Sequence, residues 1–193
     1  PTVDGSNDIV CLLVQPDNKI LVGGSFERLC RQPRRGLARL LPDGSLDPDF
    51  DPNAFGTVYS LALQTDGKIL VGGWFSSVSG QTRNQLARLH PDGTLDLNFN
   101  PGADDPVYAL GVQPDGNILV GGLFDKLGGQ TRYRLGRLNN TEPATGSLAY
   151  AGDTLTWMRG GASPEVFLTR FVASTNGTDW SDLGQGGRIP GGW

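Results

Sequence analysis

The sequence predicts an all-β protein made of repeated four-stranded blades, and three observations carry that reading. Ile20-Leu21-Val22-Gly23-Gly24 recurs as Ile69-Leu70-Val71-Gly72-Gly73 and Ile118-Leu119-Val120-Gly121-Gly122, a period of 49 residues that Phe26, Phe75 and Phe124 and Arg39, Arg88 and Arg137 also keep. Within each unit, bulky and small residues alternate with period two between clusters of turn-forming residues. No apolar i, i+3, i+4 pattern in the repeats lasts the roughly ten residues that a helix needs. Four antiparallel strands recurring every forty to fifty residues or so make a β-propeller blade, whereas the coils of a β-solenoid are shorter and carry fewer hairpins.

The elements follow in order from the middle unit. Val58-Tyr59-Ser60-Leu61-Ala62-Leu63-Gln64 sets Tyr59, Leu61 and Leu63 on one face and the small Ser60 and Ala62 on the other, as a first strand. Thr65-Asp66-Gly67 supplies residues that tolerate positive φ, so a hairpin leads into Lys68 to Phe75 as the second strand. Gln85-Leu86-Ala87-Arg88-Leu89 makes the third, Pro91-Asp92-Gly93 a tight turn, and Thr94-Leu95-Asp96-Leu97-Asn98-Phe99 a short fourth. The small face of each first strand (Cys11, Ser60, Ala109) is expected to meet the large face of the next blade, with the Gly-Gly pairs permitting close backbone approach. Arg39, Arg88 and Arg137, each flanked by a Leu, Ala or Gly in a strand, read as internal clamps.

The repeats occupy residues 1–141, in units of about 7–55, 56–104 and 105–141, and a C-terminal β segment occupies 142–193. Three blades do not close a ring, since propellers have about four to eight. Pro1 to Gly5 resembles the junction Pro101-Gly102-Ala103-Asp104, so residue 1 is expected at a repeat boundary, with further blades of a parent chain or other subunits as partners. In the third unit Asn139-Asn140-Thr141-Glu142-Pro143 replaces the Pro-Asp-Gly turn and marks the domain boundary. Beyond it Ser147 to Tyr150, Thr154 to Met158 and Val166 to Ser174 read as strands, and the Asn176-Gly177 pair as a hairpin turn, giving a small sandwich-like segment. Trp157, Trp180 and Trp193 are expected in its core or as anchors for a partner.

Composition excludes several classes. Net charge is −4, and the 16 basic residues are dispersed except for the run Arg31 to Arg35, so nucleic acid is not the expected partner. Of the 20 acidic residues 17 are Asp, which suits turns. No apolar stretch has the length of a membrane helix. Cys11 stands where other units have Ser60 and Ala109 and reads as a compact buried side chain; a bridge to the loop residue Cys30 is the alternative.

The middle unit, from Val58 through Trp74-Phe75, Leu86-Ala87-Arg88-Leu89, Asp92-Gly93-Thr94-Leu95-Asp96 and Phe99-Asn100-Pro101, resembles the delta-60 repeat family over residues 7 to about 140. The stretch Thr156 to Val166 and the ending Arg188 to Trp193 are similar to the segment that follows the last repeat in long members. The resemblance implies a β-propeller within large, secreted or surface-attached bacterial proteins, and it carries no catalytic residues. The first unit departs most, with Leu29 to Gly36 replacing Ser77-Val78-Ser79-Gly80-Gln81-Thr82-Arg83-Asn84.

Two repeated polar features are candidate sites. Asp47, Asp49 and Asp51, and likewise Asp96, Asn98 and Asn100, present oxygens at alternate positions, which on an extended strand face one side and suit calcium. Without the sixth-position glycine and distal Glu of a calcium loop, the alternative is that they bond to nearby backbone amides and hold the inter-blade crossover. The second feature is Gln81-Thr82-Arg83, repeated as Gln130-Thr131-Arg132 and altered in Gln32-Pro33-Arg34. On a propeller rim Gln81, Arg83, Gln130 and Arg132 would form a ring of donors for an anionic or glycan ligand, or else bond within the blades.

The inventory for an enzyme is poor. His90 is the sole histidine and has no counterpart at Leu41 or Asn139, and Glu27, Glu142 and Glu165 are scattered. The expected function is a non-catalytic structural or binding module of a secreted or cell-surface protein, acting in adhesion, recognition or assembly, with no cofactor other than calcium. The alternatives are a fragment of a propeller enzyme acting on extracellular glycans through blades elsewhere, and a subunit of a larger extracellular complex.

Overall fold

A computed structural model of the protein describes residues 8–140, 144–161, 166, 168–187, 189 and 192. Pro1 to Gly5, Glu142, Glu165 and Trp193 lie outside the described residues. In the first unit β1 (Ile9–Val14) and β2 (Ile20–Gly24) are followed by a small hairpin, β3 (Arg28–Leu29) with β4 (Gln32–Pro33), and by β5 (Leu37–Leu40); the main sheet runs β1-β2-β5. The second unit has β6 (Ala54–Leu63), β7 (Ile69–Val78), β8 (Gln81–Thr82) and β9 (Leu86–Leu89). There β7 is long enough to pair with β8 as well, joining four strands in one sheet. The third unit repeats the first as β10 (Val107–Val112), β11 (Ile118–Gly122), β12 (Lys126–Leu127), β13 (Gln130–Thr131) and β14 (Leu135–Leu138).

The expected turns hold these strands in place. Asp17, Asp66 and Asp115 each accept, through Oδ1, the amide two residues on, at 3.2, 3.1 and 3.0 Å. One expectation is corrected. The fourth strand read over Thr94 to Phe99 is a single bridge, Leu89 to Leu95, matched by Leu40 to Leu46 in the first unit. The chain then turns rather than extends, because Asp47 and Asp96 each accept the backbone amide two residues on, at 3.1 and 2.9 Å.

A β-bulge recurs in every unit. Pairing of the first strand with the second slips at Val10, Tyr59 and Tyr108, just opposite the Gly-Gly pair. The second glycine of that pair is needed there, since a Cβ on Gly24, Gly73 or Gly122 would lie 2.0 to 2.1 Å from the carbonyl oxygen of Asp8, Thr57 or Pro106.

Adjacent units pack face to face, small on large. Cys11 and Leu13 of β1, with Leu21 and Leu37, share a core with Val58, Leu61 and Leu63 of β6. The relation repeats one unit on, where Ala62, Leu70 and Leu86 share a core with Val107, Leu110 and Val112 of β10. The middle blade is thus covered on both sides, and burial of its Ile69, Leu70 and Val71 is complete at 0 % exposure. The C-terminal segment forms two antiparallel hairpins, β15 (Ala144–Ala151) with β16 (Thr154–Gly161) and β17 (Arg170–Ala173) with β18 (Ser181–Gln185). Among the described residues no helix is long and apolar enough to cross a membrane.

Candidate functional site

The repeated polar residues converge on the joints between blades. Arg39 lies on β5, and its Nε donates to Asp47 Oδ2 at 2.8 Å in the turn after the strand. Its guanidinium stacks over Phe50 at 4.3 Å, and Nη1 reaches into the next unit to donate to the Pro91 carbonyl at 2.6 Å. Arg88 on β9 repeats each contact: Asp96 Oδ2 at 2.8 Å, Phe99 at 4.6 Å, and Asn140 Oδ1 at 3.2 Å one unit on. Both pairs are buried, with side-chain exposures of 8 and 7 % for Arg39 and Asp47 and 3 and 4 % for Arg88 and Asp96. The expected internal clamp is therefore present at Arg39 and Arg88, while Arg137 is exposed on β14. Burial works against ionisation at Asp96, but the Asn98 amide and the Arg88 charge outweigh it and hold the carboxyl below its ordinary range.

Three of the six side chains expected to suit calcium have other partners. Asp47 and Asp96 spend one oxygen on an arginine and the other on the Asp49 or Asn98 amide. Asp51 pairs with Arg34 at 3.6 Å, and Asp49, Asn98 and Asn100 are exposed around the turns. Among the described residues no three His, Cys, Asp or Glu side chains gather as metal ligands.

The Gln-Thr-Arg segment is not a free loop but the outer strand of a small hairpin. Gln81 and Gln130 are exposed on that rim, and so is Arg132. Arg83 turns inward to 5 % exposure, donating to the Thr82 carbonyl at 2.8 Å and the Asp96 carbonyl at 3.3 Å. Arg34 likewise donates to the carbonyls of Asp47 and Pro48, at 3.4 and 3.2 Å. The structure thus separates Arg83, a brace of the crossover, from Gln81, Gln130 and Arg132, which face solvent.

Sequence reasoning assigned the arginines and the aspartates separately and missed that they are partners. The signal was present, since Arg39 to Asp47 and Arg88 to Asp96 share one spacing of eight residues. Cys11 and Cys30 are free, and burial pushes the Cys11 thiol up to about 11. His90 is half-buried at its turn.

The C-terminal hairpins enclose an open cleft of about 870 Å³, lined by Tyr150, Leu155, Phe171, Val172 and Leu183 with Asp153 and Gln185 at hand. Trp180 is exposed, and Trp157 is half-buried under the Arg159 guanidinium at 4.9 Å. On β18 Asp182 is paired with Arg170, whose hydrogen bonds, with the Gly184 amide, draw its pKa down to about 2.

No curated protein and no solved structure matches the chain. One family pattern does, over residues 15–50, 64–99 and 113–141, each match running from the first hairpin turn of a unit toward its end. With blades of that period, joined by a repeated clamp, the chain belongs to the β-propeller family described as a domain of unknown function, DUF5122.

Proposed function

We propose that this chain is a non-catalytic structural and binding module of a secreted or cell-surface bacterial protein, working in adhesion, recognition or assembly, as its resemblance to delta-60 repeats implies. The observation that carries the reading is the use of the repeated ionisable groups. Arg39 with Asp47 and Arg88 with Asp96 are turned into the joints and paired there, and Arg83 turns inward to brace the crossover of its own blade. In the first two units the repeated arginine of the third main strand therefore goes into holding blades together, and what the small hairpins of the second and third units offer to solvent is amide and guanidinium: Gln81, Gln130 and Arg132. Such donors suit the hydroxyl and carboxylate groups of an acidic glycan.

The test is retention of the 193-residue chain on immobilised acidic bacterial polysaccharide, compared with a Q81A/Q130A/R132A triple variant. Retention that the triple variant loses supports the reading. Retention unchanged in the variant moves binding away from this rim. Release of reducing ends from the polysaccharide by the purified chain overturns the non-catalytic assignment.

A further inference from the structure

We propose that the cleft between the small hairpin of the first unit and the crossover into the second is a binding site for one carboxylated sugar residue, its carboxylate held by Arg28 and Arg35 and its ring hydroxyls by Glu27 and Asn53. The inference rests on the acidic-glycan reading above and gives that glycan a point of contact apart from the rim donors.

The cleft has a volume of about 290 Å³, and its polar lining is Glu27, Arg28, Arg34, Arg35, Asp51 and Asn53. It stands at the joint of two blades, where the Ala54 amide at the start of β6 donates to the Arg35 carbonyl at 3.0 Å. Small-molecule sites begin at about 300 Å³, so this one suits a single sugar ring and not a stretch of polymer.

The repeat supplies an internal control, since each of these six positions has a counterpart one period on. There stand Ser76, Ser77, Arg83, Asn84, Asn100 and Gly102. The arginine alone is retained, and its work is the same in both units. Arg34 and Arg83 each donate through Nη1 to the carbonyl of the preceding residue at 2.8 Å, and through Nη2 to the carbonyl of Asp47 or Asp96 at 3.4 or 3.3 Å. What the hairpin requires is therefore kept, while Glu27, Arg28, Arg35 and Asp51 put charge where the second unit is neutral. The third unit has Asp125 and Lys126 but Tyr133 in place of Arg35, and its Asp125 carboxylate lies 4.0 Å from Arg134.

Partners inside the chain satisfy only part of this charge. Arg34 Nη1 lies 3.6 Å from Asp51 Oδ2. Arg28 is pinned by one bond, Nη2 to the Arg31 carbonyl at 2.7 Å, which leaves its remaining N–H donors for a ligand. Arg35 is held over the Phe55 ring at 5.4 Å. Among the described residues its guanidinium, the Glu27 carboxylate and the Asn53 carboxamide have no hydrogen-bonding partner, and all three residues are exposed. Guanidinium forks match a planar carboxylate. The two acceptors beside them select the molecule that carries it: sugar hydroxyls donate to Glu27 and to Asn53 Oδ1, whereas a phosphate or an acidic peptide would set its own negative charge against Glu27.

Isothermal titration of the 193-residue chain with trigalacturonate tests this, with the methyl ester of that trimer and a triaspartate peptide as controls. Trigalacturonate should bind, and the ester and the peptide should each bind at least about tenfold more weakly, the scale of one charged hydrogen bond. R28A/R35A should lose at least as much. Glu27→Ala is the sharper variant: a built site loses affinity about tenfold with it, whereas a merely positive patch gains affinity when the negative charge goes. No binding of trigalacturonate, a peptide bound as tightly as the sugar, or a gain with Glu27→Ala overturns the proposal. Should R28A/R35A fail to fold, Glu27→Ala decides alone. The Q81A/Q130A/R132A variant should bind trigalacturonate as the unaltered chain does; loss there with R28A/R35A unaffected overturns the cleft and leaves the rim reading standing.

Discussion

At the scale of single residues, the buried Arg88–Asp96 pair is where this fold is most vulnerable. Arg88→Ala leaves a carboxylate at 4 % side-chain exposure facing a cavity, and breaking such a pair costs about 3–5 kcal/mol; urea denaturation should show the loss. The pH dependence has a definite sign. Asp96 has its folded pKa held below the unfolded one, so its contribution is full above the ordinary carboxylate range near pH ~4 and disappears as pH falls through the lower folded value. Asp43 and Asp92 act in the same direction, held low first by the hydroxyls of Ser45 and Thr94. The urea midpoint should therefore fall between pH 5 and pH 2 or so, and Asp96→Asn should flatten part of that fall. A midpoint indifferent to acid would contradict the clamp. At Cys11, burial with a pKa raised to about 11 predicts slow reaction with a thiol reagent at pH 8 in the folded chain, and two free thiols in denaturant without reductant.

At the scale of elements, the small hairpin between the second and third main strands shows how geometry survives a change of sequence. The second and third units place Ser79-Gly80 and Gly128-Gly129 at its tip, with φ between 51 and 74°. The first unit keeps the same hairpin with Cys30 and Arg31 there, at φ 54 and 64°. A non-glycine residue in this left-handed region costs roughly 1–2 kcal/mol, of which the extra unfolded-state freedom of glycine returns part. Arg31→Gly should thus stabilise the chain by about 0.5–1 kcal/mol, read as a higher urea midpoint with unchanged slope; a lower midpoint would show that the Arg28 hydrogen bond to the Arg31 carbonyl depends on that side chain's conformation. Elements were legible in the sequence where alternation and turn chemistry agreed, as in Val58 to Phe75. They were not where an Asp two positions before another polar residue fits either an extended strand or an Asx turn. Asp47-Pro48-Asp49 and Asp96-Leu97-Asn98 are such cases, and only the arginine eight residues earlier, docked on the carboxylate, selects the turn.

At the scale of the whole molecule, the three units form an internal experiment, because one residue type occupies one position in three environments. Leu21 and Leu70 are fully buried between blades, whereas Leu119 is 38 % exposed on the open face of the last blade. This asymmetry was not legible in the sequence, since the repeat is the same at all three positions and burial is a property of the neighbour, not of the residue. The small-on-large alternation that Ser60, Ala62 and Leu61 display told which faces would meet, but not which faces lie open at the ends of the stack. The consequence is a difference in cost. Leu70→Ala removes a side chain closed in on both sides, and about 2–5 kcal/mol is expected for the transfer and cavity terms together. Leu119→Ala, measured by urea denaturation, should cost less than about 1 kcal/mol, because the leucine already touches water and leaves no closed cavity. Equal costs for the two leucines at high dilution would mean that Leu119 is closed in within the single chain, and the stacked-blade arrangement would have to be abandoned.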